Sequence, residues 1–424
     1  MTAPTLRPAA ETPPHRHLHP ILAAGGVLYV LAIGTVDINF RLGSTGSDVP
    51  SPETAAALVF WLVASVFGMP LLPGVIRQWR SAEPRLVLLI LAFGLALAFR
   101  SPDPAYSVAA VATHAAAFVF AGVAVATLSV QRLTFLTALG AVMYAAGSLI
   151  LYAFVPAIGH HHHVISLGPF TFSRLAGLSH PNKVGLLMVL GAGAWIASAP
   201  RVRASLQLLT PAVLVLLGTT LFLTYSRTAV ITGLLGLLVM RVRTLGQRLA
   251  VVSLIALIVA GTVVVAFDRL SVDTLAVLSR QASSTEEVIT LSGRLLIWAS
   301  SLSYILQRPI LGWGFASNRS LLAGEFTVGG FVPDQAHNLL LNTAMTLGTV
   351  GLGLLFLIFV RQVTRRPTAG ASLYWRFVVV AFLFSTLTES YVFAGMPTVI
   401  GFIWFVSVYR LAASAPERPP PPDD

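Results

Sequence analysis

Cysteine is absent from all 424 residues of the chain. This absence excludes disulfide bridges, thiolate metal sites and cysteine nucleophiles together. Charged residues are scarce as well, at 10% of the chain, whereas hydrophobic residues make up 56%. A water-soluble surface needs a far larger charged fraction than this. The composition therefore excludes a soluble globular protein and predicts an integral membrane protein.

Apolar stretches long enough to cross a bilayer recur along the chain. A hydrocarbon core about 30 Å thick takes roughly 20 apolar helical residues. Hydropathy predicts about twelve such spans, near residues 20–37, 54–76, 86–99, 106–128, 133–156, 184–199, 207–224, 228–240, 249–267, 337–360, 374–390 and 397–413. We therefore predict an all-α, polytopic membrane domain over residues 20–413, with disordered cytoplasmic tails over 1–19 and 414–424.

Clusters of arginine give the predicted orientation, because positively charged loops stay in the cytoplasm. With an even number of spans, both termini and these clusters lie on the same side: Arg77, Arg80, Arg85, Arg201, Arg203, Arg241, Arg243, Arg248, Arg361, Arg365 and Arg366. The net charge of +11 is then mainly a topological signal. It does not indicate nucleic-acid binding.

Four basic residues are predicted on the opposite, external side of the membrane, against this topological rule. They are Arg174, Lys183, Arg227 and Arg294. His337, at the start of the span near 337–360, opens onto the same side. A cation kept there needs a reason other than topology, so we expect a functional site at the external surface.

A large external loop is predicted over residues 268–336, and it contains the sequence SGRLLIWASSLSYILQRP. Apolar residues recur in this sequence at helical spacing, at Leu295, Trp298, Leu302, Ile305 and Leu306. We predict an amphipathic helix that lies in the membrane interface. Pro309 is predicted to end it, and the following glycines to turn the chain so that Trp313 and Phe315 reach the lipid boundary.

Arg227 lies between two apolar spans in the sequence LTYSRTAV. One interpretation is a guanidinium that reaches the phosphates of membrane lipids. The other is a receptor for a phosphate or diphosphate ligand, to which a planar guanidinium can donate two hydrogen bonds at once. The residues themselves leave both interpretations open.

Several segments together resemble one known family. The sequence HNLLLNTAMTLGTVG has a histidine, an asparagine, and then Gly348 and Gly351 two residues apart. It is similar to the histidine motif of the bacterial O-antigen ligase and O-antigen polymerase superfamily. The sequences TYSR and SGRLLIW resemble the arginine segments that flank the large loop of that family, and GLSHPNKVG resembles the segment before its sixth helix.

The resemblance implies an inverting, metal-independent glycosyltransferase without a cofactor, which acts at the periplasmic face of the bacterial inner membrane. Its donor would be an undecaprenyl-diphosphate-linked glycan. The acceptor would be a lipid A-core sugar in a ligase, or the end of another lipid-linked repeat in a polymerase. The ligase motif favours a ligase, and lipopolysaccharide biosynthesis is then the expected pathway.

Carried over to this sequence, the resemblance assigns catalytic roles to three residues. Arg227 and Arg294 would hold the donor diphosphate, and His337 would act on the acceptor hydroxyl. Four more residues are expected to contact substrate, namely Arg174, His180, Asn338 and Glu389.

General chemistry supports these roles. A diphosphate leaves readily once its charge is neutralised, and histidine has an unperturbed pKa of about 6.5, which suits a general base. Gly348 and Gly351 are expected to form a close-packing face that fixes the helix after His337. Asp334 is a candidate cap for the same helix, and Glu389 is a candidate to orient His337 or an arginine.

The remaining polar residues have simpler interpretations. The run His160 to His163 fits a metal site or a solvated loop, and the loop is favoured because no acidic residues accompany it. His114 lies within an alanine-rich span and is expected to be packed and hydrogen-bonded. A lipid or glycan transporter remains an alternative from another class, although the sequence lacks the related halves that transporters often have. A non-catalytic lipid-binding scaffold is a third.

Overall fold

The computed structural model describes residues 19–35, 52–167, 170–202, 204–241, 291–323, 333, 335–365 and 372–413. The predicted tails, apart from residue 19, lie outside the described residues. So do the predicted span near 249–267 and the parts of the external loop at 268–290, 324–332 and 334. Among the described residues helix predominates, as the apolar composition predicts.

The helices are numbered here in chain order. They are α1 His19–Thr35, α2 Pro52–Gly68, α3 Leu72–Gln78, α4 Ala82–Ala98, α5 Pro104–Thr127, α6 Val130–Phe154, α7 Pro156–Gly159, α8 Pro181–Val202, α9 Thr210–Thr224, α10 Arg227–Arg241, α11 Leu291–Gln307, α12 Asn318–Ala323, α13 Leu339–Thr364, α14 Ser372–Ser385 and α15 Val399–Ala413. Short 3-10 turns occur at Met69–Leu71 and Ala204–Leu209.

In the described part of the chain, six helical segments are long and apolar enough to cross a membrane. They are Val59–Gln78, Pro104–Thr127, Val130–Phe154, Pro181–Ala199, Ser205–Thr224 and Leu339–Thr364. Three shorter apolar helices accompany them, at Arg227–Leu238, Leu373–Ser385 and Val399–Ala413. The chain is therefore a multi-pass helical membrane protein. Each predicted span within the described ranges coincides with a helix, whereas the total of about twelve stays a prediction.

A β-hairpin interrupts the all-helical pattern. Strand β1, His160–Leu167, pairs antiparallel with strand β2, Phe170–Leu175. The favoured interpretation of the histidine run as a loop is therefore wrong, because His160 to His163 belong to β1. The β-branched and aromatic residues that follow in both strands favour extended backbone, and local composition alone did not reveal their pairing.

Helix α15 lies in the core of the protein. All of its residues from Val399 to Tyr409 are buried. Its Trp404 ring stacks on Phe382 of α14 at 5.0 Å between centroids, and its Phe405 ring meets Phe118 of α5 edge-on at 5.2 Å. An apolar helix that is buried on every side fits the interior of a bundle rather than its surface. This core helix follows directly on the loop that carries Glu389.

Helix α13 is broken within its span, at Gly348. The backbone there has φ 66° and ψ −167°, which only glycine adopts readily. The segment 309–314 docks on the break, because the amides of Trp313 and Gly314 donate to the carbonyls of Met345 and Thr346 at 3.0 and 2.9 Å. The Thr349 amide in turn donates to a carbonyl of that segment. Gly348 thus supports close packing, as predicted, but at a break rather than on a regular helix face.

The segment after the amphipathic helix folds inward. The predicted helix is present as α11, and its Trp298 is buried. Leu306, predicted on its apolar face, is 78% exposed. Phe315 was predicted at the lipid boundary, and this prediction is wrong: its ring is fully buried and lies over Gly94 of α4. Hydrophobicity alone does not distinguish a lipid-facing ring from one that packs in the core.

The opposite end of α13 is fixed by a buried carboxylate. Glu83, in the first turn of α4, is 1% exposed. Its two oxygens lie 3.4 Å from Arg361 and 3.0 Å from Arg365. Buried charges are tolerated when paired in this way. The ion pairs join α4 to the C-terminal end of α13, far along the helix from His337.

Candidate active site

The start of α13 holds His337 in a fixed position. Asn338 is the N-cap residue, and its side-chain oxygen accepts a hydrogen bond from the Leu341 amide at 3.0 Å. Its side-chain nitrogen donates to the Leu387 carbonyl at 3.0 Å. These two hydrogen bonds fix the Asn338 side chain, and they restrict the conformation of His337, the residue before it. His337 has a left-handed backbone, with φ 48°, and is 9% exposed.

Glu389 is the partner of His337. Nδ1 of His337 lies 3.3 Å from Oε2 of Glu389. The other carboxylate oxygen accepts a hydrogen bond from Arg294 at 3.0 Å. Burial raises the pKa of Glu389, but the hydrogen bond and charge of His337, with the charges of Arg294 and His180, bring that pKa far below its usual range. The carboxylate is therefore ionised and acts as an acceptor toward the imidazole.

Helix α11 brings Arg294 to this carboxylate. Trp298 lies one turn further along the same helix, and its indole nitrogen donates to the Ala336 carbonyl at 2.9 Å. This bond fastens α11 to the residue that precedes His337. Arg294 and His337 therefore reach Glu389 from two segments that are tied to each other.

Asn182 joins the carboxylate to a second group of residues. Its side-chain nitrogen donates to Oε1 of Glu389 at 2.6 Å. Its side-chain oxygen accepts from the Ser226 hydroxyl at 3.1 Å and from Arg174 at 3.4 Å. Sequence analysis missed Asn182 and Ser226 as members of the site. The only signal was the position of Asn182 in the segment GLSHPNKVG, where an asparagine has many possible uses.

Arg174 and Arg227 lie beyond Asn182. Strand β2 carries Arg174, whose Nε donates to the Thr224 carbonyl at 3.0 Å. Its pKa is lowered by burial and by the charges of Arg294 and Arg227, while Glu389 opposes the shift. Arg227 begins α10 and is exposed, with its guanidinium 5.4 Å from the Tyr225 ring. Arg174 thus lies within electrostatic range of both other guanidinium groups.

This group of charges suits an anionic ligand. Among the described residues, Glu389 is the one carboxylate within ion-pair distance of Arg174, Arg227 or Arg294. One buried negative charge therefore faces three positive charges. The excess of positive charge, with a guanidinium exposed at Arg227, favours a ligand with two or more negative charges.

His180 lies on the other side of His337. The two imidazole rings are 6.4 Å apart between centroids. Nδ1 of His180 accepts a hydrogen bond from the backbone amide of Asn182 at 3.3 Å. His180 thus lies beside His337, whose imidazole is predicted to act on the acceptor hydroxyl. The seven predicted site residues, from Arg174 to Glu389, all gather at the end of the protein where α13 begins.

The loop between α14 and α15 positions Glu389, and its backbone is held by side chains from other helices. The Phe393 amide donates to Nε2 of His114 at 3.1 Å, and the Ala394 carbonyl accepts from Asn318 at 2.7 Å. His114 is fully buried, and its Nδ1 meets the Ala110 carbonyl at 2.8 Å. The prediction that His114 is packed and hydrogen-bonded is confirmed. Its bond to the loop of Glu389 was not foreseen.

His160, the first residue of β1, contacts Tyr152. The two rings lie 4.4 Å apart between centroids and are tilted by 46°, and Nε2 of His160 lies 3.1 Å from the Tyr152 carbonyl oxygen. Among the described residues, no group of three or more His, Cys, Asp or Glu residues is placed so that it could hold a metal ion. Asp334, the candidate cap of α13, lies outside the described part of the chain, and Asn338 provides the cap.

The fold and the site together define a multi-pass membrane protein with a polar, cationic site at one end of its helices. A family model described as O-Antigen ligase matches residues 212–356. The matched segment contains Arg227, Arg294 and His337, and the match confirms the predicted resemblance to the O-antigen ligase superfamily. Arg174, His180, Asn182 and Glu389 lie outside it. None of the curated proteins matches the chain.

Proposed function

We propose that this protein is an O-antigen ligase, which transfers a glycan from an undecaprenyl-diphosphate-linked donor to a lipid A-core sugar. The reaction would be inverting and independent of metal, and it would take place at the periplasmic face of the bacterial inner membrane. The observation that carries the proposal is a buried His337 and Glu389 pair that Arg294 contacts directly, with Arg174 within electrostatic range of both Arg294 and Arg227. The family match supports the same class of reaction.

The arginines are assigned to the donor. Arg227 and Arg294 hold the diphosphate, with Arg174 behind them, because guanidinium groups bind phosphate oxygens through two parallel hydrogen bonds. Their charge stabilises the diphosphate as it leaves, which is the role a metal ion has in other enzymes. The Arg294 side chain pairs with Glu389 and is still 22% exposed. Part of it therefore stays accessible to a ligand.

His337 is assigned to the acceptor as a general base. An ionised Glu389 only accepts hydrogen bonds, so Nδ1 of His337 carries the proton between them. The lone pair is then on Nε2, which takes the proton of the acceptor hydroxyl. The hydroxyl oxygen attacks the anomeric carbon as the bond to the diphosphate breaks. A single displacement of this kind inverts the configuration at that carbon.

The other predicted residues support these two groups. His180 is assigned to the acceptor side because its ring lies next to His337. Asn338 and Glu389 were expected to contact substrate, but their polar atoms are used within the protein. We assign both residues to holding His337 in position. The partners of the protein would be membrane lipids and the two glycan substrates.

Repeat polymerisation is the same chemistry with another acceptor, so a cellular experiment has to separate the two. Deleting the gene for a ligase should remove long glycan chains from lipopolysaccharide while they accumulate on the lipid carrier. Deleting the gene for a polymerase should leave single repeats attached to lipopolysaccharide. The first outcome is expected, and the second would replace ligase by polymerase.

Transfer by the purified protein tests the chemistry itself. Protein in nanodiscs, supplied with a lipid-diphosphate-linked glycan and a lipid A-core acceptor, should release the lipid diphosphate in step with product. Activity should survive a chelator, because guanidinium groups supply the positive charge. Movement of the donor across the bilayer without a new glycosidic bond would support a transporter instead. Donor binding with neither outcome would support a scaffold.

A further inference from the structure

Asn182 occupies an unusual position for a residue in a transmembrane helix. It lies in the first turn of α8, after Pro181, and is 9% exposed. Both polar atoms of its side chain are engaged by residues from other segments. Helix formation does not require such contacts, since the partners are Ser226 just before α10, Arg174 of β2 and Glu389 of the loop before α15.

The donor side of the amide holds Glu389. Nδ2 of Asn182 lies 2.6 Å from Oε1, the oxygen that also accepts from Arg294. Two donors on one oxygen fix the plane of the carboxylate. The second oxygen, Oε2, is thereby turned toward His337. A supporting hydrogen bond of this kind fixes the orientation and the tautomer of an imidazole.

The acceptor side of the amide holds the arginines. Oδ1 accepts from the Ser226 hydroxyl at 3.1 Å and from Arg174 at 3.4 Å. Ser226 in turn accepts from the Ala229 amide at 3.3 Å, at the start of the helix whose first residue is Arg227. One amide group therefore contacts both the half of the site assigned to the acceptor and the half assigned to the donor.

Only an amide satisfies both sets of partners. Glu389 accepts hydrogen bonds and does not donate them while ionised, so it requires a donor. The guanidinium of Arg174 only donates, so it requires an acceptor. A carboxylate at position 182 would keep the contact with Arg174 but would place an oxygen against Oε1 of Glu389. The chemistry of both neighbours thus selects asparagine at this position.

We infer that Asn182 is a positioning residue that sets Glu389 against His337 and, through Ser226 and Arg174, fixes the arginines relative to that pair. The inference rests on the proposed function. It assigns a role to a residue outside the segment that the family model matches. It also accounts for the placement of β2 and of the start of α10 at the site, since Arg174 of β2 and Ser226, the residue before α10, contact the same amide.

The test uses Asn182→Asp, which changes a single donor atom into an acceptor. At pH 8 the new carboxylate should repel Glu389, and glycan transfer should fall by roughly 10- to 100-fold, as expected when a supporting partner is lost. On acidification the two carboxyl groups take up one proton, because like charges in contact raise the pKa of the pair. The protonated group then donates the hydrogen bond that Asn182 donates.

The readout is the ratio of variant to wild-type transfer between pH 8 and pH 5.5. The ratio should rise for Asn182→Asp and stay low and flat for Asn182→Ala, which has no proton to regain. His180, His337 and the arginines face Glu389 in all three proteins, so Asn182→Ala, which adds no ionisable group, is the reference against which the rise for Asn182→Asp is measured. Ser198→Ala is the matched control: Ser198 is buried on the same helix, and among the described residues its hydroxyl bonds only to the Ala194 carbonyl. It should keep near-normal transfer.

Two results with active wild-type protein decide the inference. A flat ratio for Asn182→Asp, or transfer within twofold of wild type at pH 8, would overturn it. Wild-type protein that transfers no glycan would instead overturn the proposed function. In that event the thermal unfolding midpoint tests the contact itself. The midpoint of Asn182→Asp should lie below that of wild type, by a difference that shrinks as pH falls. A constant difference would contradict the bond to Glu389.

Discussion

Nδ1 of His337 lies 3.3 Å from Oε2 of Glu389, although the two residues are 52 positions apart in the chain. The segments that carry them are bonded to each other directly. The Leu339 amide donates to the Thr386 carbonyl at 2.9 Å, and Asn338 donates to Leu387. The imidazole and its carboxylate therefore belong to one junction between α13 and the loop after α14.

Glu389→Gln should show how much of the stability of this junction depends on charge. Because the folded-state pKa of Glu389 is far below its usual value, the ionised carboxylate stabilises the fold above its unfolded pKa of about 4.3. That contribution is lost as pH falls through the lowered pKa of the folded state. The unfolding midpoint of wild type should exceed that of Glu389→Gln by a constant margin from pH 8 to about pH 5.

Below about pH 4 the margin between these two proteins should begin to narrow. Differential scanning fluorimetry in detergent, in steps of half a pH unit, measures it. A margin that widens on acidification would mean that Glu389 is protonated in the folded protein. The assignment of the Nδ1 proton to His337 would then fail.

Arg227→Lys and Arg294→Lys should each reduce transfer severely, by about 100-fold or more, because an ammonium group does not reproduce bidentate binding of a diphosphate. Arg361→Lys makes the same chemical change at the opposite end of α13, where it can keep an ion pair with Glu83. This control should stay near wild type. Initial rates in nanodiscs provide the comparison, and near-normal rates for both site variants would remove the arginines from the donor site.

Gly348→Ala should destabilise the protein and reduce transfer. An alanine Cβ there would collide with the Ile310 carbonyl oxygen, and the left-handed backbone alone costs roughly 1 to 3 kcal/mol for other residues. Gly353→Ala is the control on the same helix, because nothing lies within 4 Å of its added Cβ. It should be neutral or stabilising, by up to about 1 kcal/mol. Equal unfolding midpoints for the two variants would contradict the docked break.

His114→Phe and His114→Gln should differ from each other. Phenylalanine keeps a ring among the surrounding aromatic side chains but leaves the Phe393 amide without its acceptor, at a cost of about 1 to 3 kcal/mol. Glutamine retains an acceptor. We expect transfer to fall by roughly tenfold in the Phe variant, through movement of the loop that carries Glu389, and by less in the Gln variant. Indistinguishable kcat values would show that the loop does not depend on this bond.

The charged members of the site could be predicted because each is an exception to a simple rule. Arg174, Arg227 and Arg294 are predicted on the side of the membrane that the topological rule disfavours, and His337 opens a long apolar helix. Cations in such places are costly, so each one suggests a function. The structure brings all of them to one end of the protein. Their assignment to donor and acceptor stays a prediction.

The uncharged site residues and the packing features could not be predicted, and the physical reason is a different one. Asn182 gains its importance from partners that include Ser226 and Glu389, both more than 40 positions away. The break at Gly348 exists because a separate segment supplies its hydrogen bonds. Phe315 has the same hydrophobicity whether lipid or α4 covers it. Contacts between distant segments decide all three, and local sequence patterns do not report them.

Transfer by folded His337→Gln protein is the most direct test of the central claim that His337 is the general base. Glutamine can still bond to Glu389, so the junction should fold, and donor binding should be retained because the arginines hold the diphosphate. The account predicts that kcat falls by roughly 100- to 10,000-fold, as expected when a general base is lost. Normal transfer by this variant, with a wild-type unfolding midpoint, would contradict it.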